Sequence, residues 1–228
     1  IIVALVNSLK YYYELQEEKN KTIDLEKQLI TSRINFLKQQ LQPHFLFNTH
    51  HSIITLMKMD EKERAAEMME KLSDLMRFAL REDTSQEITL EKELSVLKLY
   101  LDIQRVRFED KLRVEFDVPR HLLKSLVPSM ILQPVVENSI KYAVERSSSS
   151  CTIYIRAEDE KENLILIIKD QVKEPLVTSI INKGIGLSNT EERLEKLYST
   201  GKQFKMQPYN ENGFSGVQVN IQIPLHHA

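Results

Sequence analysis

Residues 39–52 read Gln-Gln-Leu-Gln-Pro-His-Phe-Leu-Phe-Asn-Thr-His-His-Ser, and they decide how the first part of the chain is interpreted. Residues 9–58 contain no glycine and one proline, Pro43, so we predict a long helix there. Pro43 removes the backbone hydrogen bond to the carbonyl of Gln39, which bends the helix. His44 follows the proline directly and is therefore predicted to lie on a helix beside a bend.

His44 is the candidate nucleophile of this helix. A neutral imidazole is nucleophilic, and an unperturbed pKa of about 6.5 leaves most of the ring neutral near physiological pH. Such a ring can accept a phosphoryl group and pass it on. Asn48 lies one turn later, where its amide can hydrogen-bond to a ring nitrogen of His44 and orient it. A lone histidine on a helix is more often structural, but the Pro-His-Phe-Leu-Phe-Asn pattern favours a phosphoacceptor.

His50 and His51 raise the alternative of a metal site together with His44. The offsets of these histidines can place them near one face of a helix. No Asp, Glu or Cys within a turn completes a ligand set, however. We therefore predict no metal site on this helix.

Apolar residues before this stretch repeat every seven positions. Ile23, Ile30 and Leu37 form the repeat, and charged residues fill many of the positions between them. That spacing is typical of a coiled-coil seam, which needs a partner helix, so we predict a homodimer. The alternative is one amphipathic helix that packs on its own domain. A helix of about 75 Å, at about 1.5 Å per residue, rarely finds cover within a chain of this size, which favours the dimer.

A second helix is predicted after a turn at Met59–Lys62. Apolar residues recur at helical spacing from Ala65 to Ala79. Two antiparallel helices per chain form a long helical hairpin, and pairing across a dimer makes a four-helix bundle. The hairpin is expected to carry His44 on its first helix.

The rest of the chain mixes helical and strand patterns. Asp83–Gln86 is interpreted as a linker, and Thr89 as the N-cap of a helix over 90–108. Two more helices are predicted, one at 127–143, which has Pro128 in its first turn, and one at 188–198. Strands are predicted at 113–118, 152–157, 164–169, 203–207 and 217–223. This mixed order predicts an α+β fold in which an α/β sandwich, one mixed sheet with helices on one face, follows the hairpin.

A second polar group lies on the predicted helix at 127–143. The run Leu-Gln-Pro-Val-Val-Glu-Asn-Ser-Ile-Lys-Tyr at 132–142 places Asn138, Lys141 and Tyr142 on one face through spacings of three and four. Asn138 can hold a Mg²⁺ ion through its amide oxygen, and the ion can bridge nucleotide phosphates. Lys141 can neutralise phosphate charge, and Tyr142 joins the same candidate nucleotide-binding face.

Two later features complete this candidate site. Asp170 ends an apolar strand, where its carboxylate can accept a hydrogen bond from an adenine amino group. Gly184 and Gly186, in the run Lys-Gly-Ile-Gly-Leu, permit close approach of the backbone to phosphates at a helix start. Each signal alone is weak, and Asp170 alone is equally a strand-end turn residue. The ordered set of Asn138, Asp170 and the two glycines is more specific.

The composition excludes several other classes of protein. The chain of 228 residues is 42% hydrophobic and 28% charged with a net charge of −2, which is typical of a folded domain and unlike a basic nucleic-acid binder. Its single cysteine, Cys151, cannot form an internal disulfide, which fits a reducing cytoplasm. Residues 1–6 are apolar but too few to span a bilayer. We interpret them as the cytoplasmic end of a transmembrane helix that follows a sensor region; a plain apolar helix start is the alternative.

From about residue 36 to 225 the chain resembles the sensor histidine kinases typified by LytS, YehU and YesM. The Gln-Pro-His-Phe-Leu-Phe-Asn run resembles their phosphoacceptor box, Leu-Gln-Pro-Val-Val-Glu-Asn their N box, and Lys-Gly-Ile-Gly-Leu their second glycine box. The run from Tyr100 to Phe108 also resembles the entry helix of that family. The resemblance implies that His44 is autophosphorylated from ATP, with Mg²⁺, and then donates to an aspartate of a response regulator. It further implies an ATP-binding domain of the Bergerat type.

These interpretations divide the chain into three parts. Residues 1–36 form a membrane-proximal signalling helix, residues 37–86 the dimerisation and phosphotransfer hairpin, and residues 87–228 the catalytic ATP-binding domain. The expected localisation is the cytoplasmic portion of a cell-membrane protein. The expected partners are a second copy of the chain, a response regulator receiver domain and the upstream sensor region.

The sequence departs from the family pattern at two places. Asp170-Gln171-Val172 stands where Asp-Asn-Gly is usual, which predicts a stiffer loop and leaves open a catalytically weakened signalling scaffold. Thr49-His50-His51 stands where Thr-Leu-Asn is common. A third possibility is an ATP hydrolase of the same fold. Hydrolases of that kind place a Glu four residues before the magnesium-binding Asn, and Pro134 occupies this position here.

Overall fold

The computed structural model describes residues 15–19, 43–80, 86–173, 184–211 and 213–226. The chain divides into two compact units, Ile1–His50 and His51–Ala228. Residues 15–19 are helical, whereas the predicted coiled-coil seam at Ile23, Ile30 and Leu37 lies outside the described residues. Within the ranges just given, no helix is both long and apolar enough to cross a membrane.

Helices α1 (Pro43–Lys58) and α2 (Lys62–Leu80) are joined by a tight turn. Asp60 adopts a φ of 62° in this turn, and the Glu61 N–H donates to the carbonyl of Leu56. The predicted turn and the predicted second helix are both confirmed. The apolar stripe of α2 is buried at Ala65, Met68 and Leu75.

Helix α3 (Leu90–Phe108) begins at the predicted cap. The hydroxyl of Thr89 accepts a hydrogen bond of 3.3 Å from the Lys92 N–H, which satisfies a donor that the first helical turn cannot pair internally. Helix α2 packs against α3, where Lys71 forms an ion pair of 3.0 Å with Asp102. The ammonium of Lys92 also lies 5.8 Å from the ring centroid of Phe78.

The main sheet has five strands in the order β2-β4-β5-β7-β6. Its strands are β2 (Leu112–Asp117), β4 (Cys151–Glu160), β5 (Asn163–Gln171), β6 (Gln203–Glu211) and β7 (Phe214–Pro224). Strand β2 runs parallel to β4, and the other neighbours are antiparallel, so the sheet is mixed as predicted. A separate two-stranded antiparallel sheet pairs β1 (Glu87–Thr89) with β3 (Leu126–Pro128). Two short 3₁₀ helices, Glu109–Lys111 and Arg120–Lys124, flank β2.

One face of the main sheet forms the core. Burial alternates along β5, with Leu164, Leu166 and Ile168 buried and the residues between them half-buried. Asp170 continues the buried row and points at the helices, since it bonds to a side chain of helix α4 (Gln133–Ser139). Helix α5 (Ile185–Leu197) packs against α4. The fold is therefore the predicted α+β sandwich.

The predicted helix over 127–143 is wrong at its start. Residues 126–128 form strand β3, and α4 begins only at Gln133. Met130 adopts a φ of 58°, which no right-handed helix contains. Proline also fits an edge strand, where its missing N–H costs nothing, and long-range pairing with β1 decided between the two roles of Pro128.

Candidate functional site

Helix α4 carries Asn138 between the sheet and the surface. Pro134 lies in its first turn, Val135 and Val136 are buried against the core, and Asn138 is half-buried. The helix continues as a π-helix over Ile140–Val144, in which the Glu145 N–H donates to the carbonyl of Ile140 at 2.9 Å. Such π-turns are rare and frequently lie at functional sites.

Asp170 lies at the end of β5, as predicted, and contacts α4 directly. The hydroxyl of Ser139 donates to its Oδ2 at 2.8 Å, and the Val217 N–H donates to its Oδ1 at 2.8 Å. The residue is only 4% exposed, and this burial raises the pKa of Asp170 to about 6, although both hydrogen bonds favour the charged form. Each carboxylate oxygen has two lone pairs, so both can accept one further hydrogen bond from a ligand.

Gly216 on β7 allows this arrangement. A Cβ atom at that position would lie 1.8 Å from the carbonyl oxygen of Asp170, so only glycine fits. The same carbonyl accepts a hydrogen bond of 2.6 Å from the hydroxyl of Tyr209 on β6. Backbone and side chain of Asp170 are therefore both held by neighbouring strands and by α4.

Helix α5 begins at the two predicted glycines. Gly184 is its N-cap, and its carbonyl accepts hydrogen bonds from Leu187 and Ser188 at 3.0 and 3.1 Å. A Cβ atom on Gly186 would lie 3.7 Å from the Cβ of Pro134, so the first turns of α5 and α4 are in contact. Helix N-termini attract anions through their N–H groups and dipole. The structure thus brings together Asn138, Asp170 and the glycine helix start, which we call the candidate nucleotide site.

Lys141 and Tyr142 lie on the π-helical segment. Lys141 is exposed and Tyr142 half-buried, and the Lys141 ammonium lies 5.1 Å from the Tyr142 ring centroid. Arg146 approaches the same ring at 4.8 Å. Two cations therefore flank Tyr142, and contact of Lys141 with a phosphate remains a prediction.

The phosphoacceptor segment forms the first turns of α1. The backbone of His44 is helical, while its side chain lies outside the described residues, so the predicted hydrogen bond from Asn48 is untested. Phe45 is buried and Phe47 is 74% exposed. The hydroxyl of Thr49 donates to the carbonyl of Phe45 at 2.8 Å.

The altered Asp170-Gln171-Val172 box stays within the sheet. Val172 is 6% exposed and exchanges two backbone hydrogen bonds with Ser215, of 2.9 and 3.0 Å. A buried β-branched residue with both backbone groups paired restricts the chain more than a glycine would. Residues 174–183, which continue the loop after this box, lie outside the described residues.

The residues of the site fit a nucleotide-bound Mg²⁺ ion. Among the residues described, no group of three or more His, Cys, Asp or Glu side chains forms a metal cage. Mg²⁺ keeps several waters and usually takes one or two protein oxygens plus substrate phosphates. Asn138 lies one helical turn after Pro134, which contacts Gly186, and its amide oxygen is a ligand of this kind.

Sequence reasoning missed three residues that shape the site. Ser139 follows Asn138 and carried no separate signal. Gly216 interrupts a strand pattern, which is a known sign of close backbone approach. Glu93 lies on the apolar stripe of α3 between Leu90 and Leu94, where a charged residue signals a buried polar contact.

Comparison with known proteins places the chain among sensor kinases. The family model described as histidine kinase matches residues 32–112. The chain is 31% identical over 221 residues to the sensor histidine kinase YesM of Bacillus subtilis, covering 95% of this chain and 37% of that protein. It is 30% identical over 206 residues to the sensor protein LytS of Staphylococcus saprophyticus, covering 86% of this chain and 34% of that protein. The chain thus spans about a third of the length of the curated relatives it matches.

Solved structures overlap less closely. The histidine kinase domain of the blue-light activated kinase EL346 from Erythrobacter litoralis has a TM-score of 0.48 at 15% identity, covering 85% of this chain and 94% of that one. An overlap at this level carries no argument about function, which depends on the site itself.

Proposed function

The chain belongs to the histidine kinase family, and from this premise we propose that it is the kinase portion of a two-component sensor. In this proposal His44 is phosphorylated from Mg-ATP and then donates to an aspartate of a response regulator. A dimer, the upstream sensor region and a position at the cytoplasmic side of a membrane belong to the same proposal.

One observation carries the proposal. Three separate segments of the predicted motif set meet in one site, since Ser139 beside Asn138 bonds to Asp170, and Gly186 lies against Pro134 of the same helix. Asn138 would hold Mg²⁺, the start of α5 would bind phosphate, and the Asp170 carboxylate would accept from the adenine amino group. Phosphoryl transfer depends chiefly on such positioning and on charge neutralisation.

The chemistry at His44 balances without a general base. The unprotonated ring nitrogen attacks the γ-phosphorus, an N–P bond forms, and the bond to the β,γ-bridging oxygen breaks with its electron pair going to ADP. The proton on the other ring nitrogen stays in place. In the second step a receiver carboxylate oxygen attacks phosphorus, and the N–P electron pair returns to the ring.

The environment of Glu137 favours transfer over ATP hydrolysis. Pro134 occupies the position at which related hydrolases carry their base. Glu137 accepts a hydrogen bond of 2.8 Å from the Gln133 amide one turn earlier on the same helix. A carboxyl engaged within its own helix is poorly placed to activate water for attack on a nucleotide.

The test is labelling with γ-phosphate-labelled Mg-ATP. Wild-type protein and the control His51→Gln, an exposed position on the same helix, are expected to take up acid-labile, base-stable label, while His44→Gln is expected to take up none. Label retained by His44→Gln would refute the site assignment. Free phosphate without labelled protein would indicate a hydrolase, and nucleotide binding without either product would indicate a signalling scaffold.

A further inference from the structure

Glu93 is a buried carboxylate that holds the loop in front of α4. It is 2% exposed, its Oε2 accepts from the Met130 N–H at 2.7 Å, and its Oε1 accepts from the Leu132 N–H at 2.9 Å. Hydrogen bonds from backbone N–H groups to a charged group are strong, and a buried carboxylate needs them. Glu93 therefore determines where the loop ends and where α4, with Asn138, begins.

Arg193 on α5 binds the other end of the same loop. One guanidinium nitrogen donates to the carbonyl of Ser129, and another donates to the carbonyl of Gln86 at 3.1 Å. The Ser129 N–H donates to that Gln86 carbonyl as well, at 3.2 Å. Burial raises the pKa of Glu93 to about 7, although the backbone N–H groups and the positive charge of Arg193 favour the charged carboxylate. A planar guanidinium can serve several acceptors at fixed angles, which a lysine cannot.

These contacts join three elements that are far apart in sequence. Ser129 follows β3 and leads into α4, and Arg193 lies two turns after the glycines that start α5. Gln86 is the last residue of the predicted linker and directly precedes β1. Next to it, Glu87 accepts a hydrogen bond from the hydroxyl of Tyr198, which follows α5.

We propose that Arg193, together with Glu93, is a positioning residue that sets α4 and α5 relative to each other and to Gln86, and so sets the geometry of the candidate nucleotide site. Its hydrogen bonds are with the backbone carbonyls of Ser129 and Gln86, so it acts through Asn138 and the glycine helix start. The nucleotide part of this inference rests on the proposed kinase function. The connection of Gln86 to the loop before α4 and to α5 is a property of the fold.

The experiment compares Arg193→Gln and Arg193→Lys with Lys196→Gln, an exposed position on the same helix. In calorimetric titration, the affinity for Mg-ATP is expected to be about tenfold weaker for Arg193→Gln than for wild type and unchanged for Lys196→Gln. Arg193→Lys should lose less affinity than Arg193→Gln, because it keeps the positive charge but not the planar guanidinium with its several N–H donors. Glu93→Gln combined with Arg193→Gln should weaken binding by less than the product of the single effects, because the two residues act on one loop.

Amide hydrogen exchange of the nucleotide-free proteins provides the second measurement. Arg193→Gln is expected to speed exchange at Met130, Leu132 and the first turns of α4, while amides in the middle of α3 stay as in wild type. Unchanged exchange in the loop and α4, or a lowered melting temperature with Mg-ATP affinity within about twofold of wild type, would overturn the proposal. If wild type binds no nucleotide, the kinase proposal fails, and the exchange result alone decides the positioning role.

Discussion

The hydroxyl of Ser139 donates a hydrogen bond of 2.8 Å to Oδ2 of Asp170, and this bond ties the helix of Asn138 to the end of β5. Asp170 is buried, and this burial raises its pKa to about 6. The hydrogen bond from Ser139 therefore stabilises a carboxylate charge that is unfavourable to bury. The relationship makes the candidate nucleotide site sensitive to small changes at residues that would not contact the nucleotide themselves.

Ser139→Ala tests this bond. Loss of the donor removes an interaction that favours the charged carboxylate, so the pKa of Asp170 should rise further. We expect Mg-ATP affinity near neutral pH to fall about five- to tenfold, consistent with loss of one hydrogen bond to a charged group. Calorimetry across a pH series should show the weakening on acidification beginning at higher pH than in wild type. The exposed Ser199→Ala is the control, and identical pH midpoints in all three proteins would contradict the prediction.

Gly216→Ala tests the close approach of β7 to Asp170. A Cβ atom 1.8 Å from a backbone carbonyl cannot be accommodated without separating β5 from β7. We expect the free energy of unfolding to fall by about 3 kcal/mol or more, measured by urea denaturation. Gly184→Ala is the matched control, because no atom of the described residues beyond its chain neighbours lies within 4 Å of its added Cβ, and its φ is −64°. Its cost should stay below about 1 kcal/mol, and equal effects at both glycines would show that the strand contact is misjudged.

Glu137→Gln tests the half-buried carboxyl next to Asn138 in the chain. Its pKa is raised from 4.5 to about 7, so the folded protein binds a proton that the unfolded chain releases between these values. The contribution of Glu137 to the free energy of unfolding is therefore fully present below pH 4.5, and it is lost as the pH rises through 7. The amide variant has no such loss, so it should be more stable than wild type on the alkaline side by up to about 3 kcal/mol and equal to it on the acid side.

Urea denaturation at an acid and an alkaline pH measures this difference directly. The exposed Glu192→Gln on α5 serves as the control, and its stability relative to wild type should be the same at both pH values. A Glu137→Gln variant with a pH-independent difference from wild type would refute the interpretation.

Lys71→Gln tests the ion pair between α2 and α3. The Lys71 ammonium forms ion pairs with Asp102 at 3.0 Å and with Glu67 at 2.9 Å, and both carboxylates are partly exposed. Loss of the lysine charge should therefore change the free energy of unfolding by less than about 1 kcal/mol. We expect initial autophosphorylation to rise, because the pair holds the first helix of the proposed ATP-binding domain on α2 and opposes its movement. Raised salt should act in the same direction.

Arg77→Gln is the matched control for that measurement. Arg77 pairs with Asp74 on its own helix at 3.2 Å, so its removal leaves the contact between α2 and α3 intact. Labelling rates should then equal those of wild type. A Lys71→Gln rate at or below the wild-type rate would show that the ion pair does not restrain the domain.

Local signals in the sequence predicted the elements that depend on near neighbours. Thr89 was predicted as a helix cap, and its hydroxyl accepts from Lys92 three residues later. The predicted turn after α1 and the apolar strands β4, β5 and β7 were likewise confirmed, although most strands extend further than expected. Each of these features depends on periodicity or on side-chain chemistry within a few residues.

The sequence by itself determined the family motifs, the α+β class and the order of the site residues, because these depend on residue type and spacing. Only the tertiary structure decided that residues 126–128 form a strand, that Ser139 reaches Asp170, and that Glu93 and Arg193 hold the loop between them. The physical reason is that a backbone carbonyl or a carboxylate can accept a hydrogen bond from many different donors. Strand pairing and helix packing between distant parts of the chain decide which donor lies next to it.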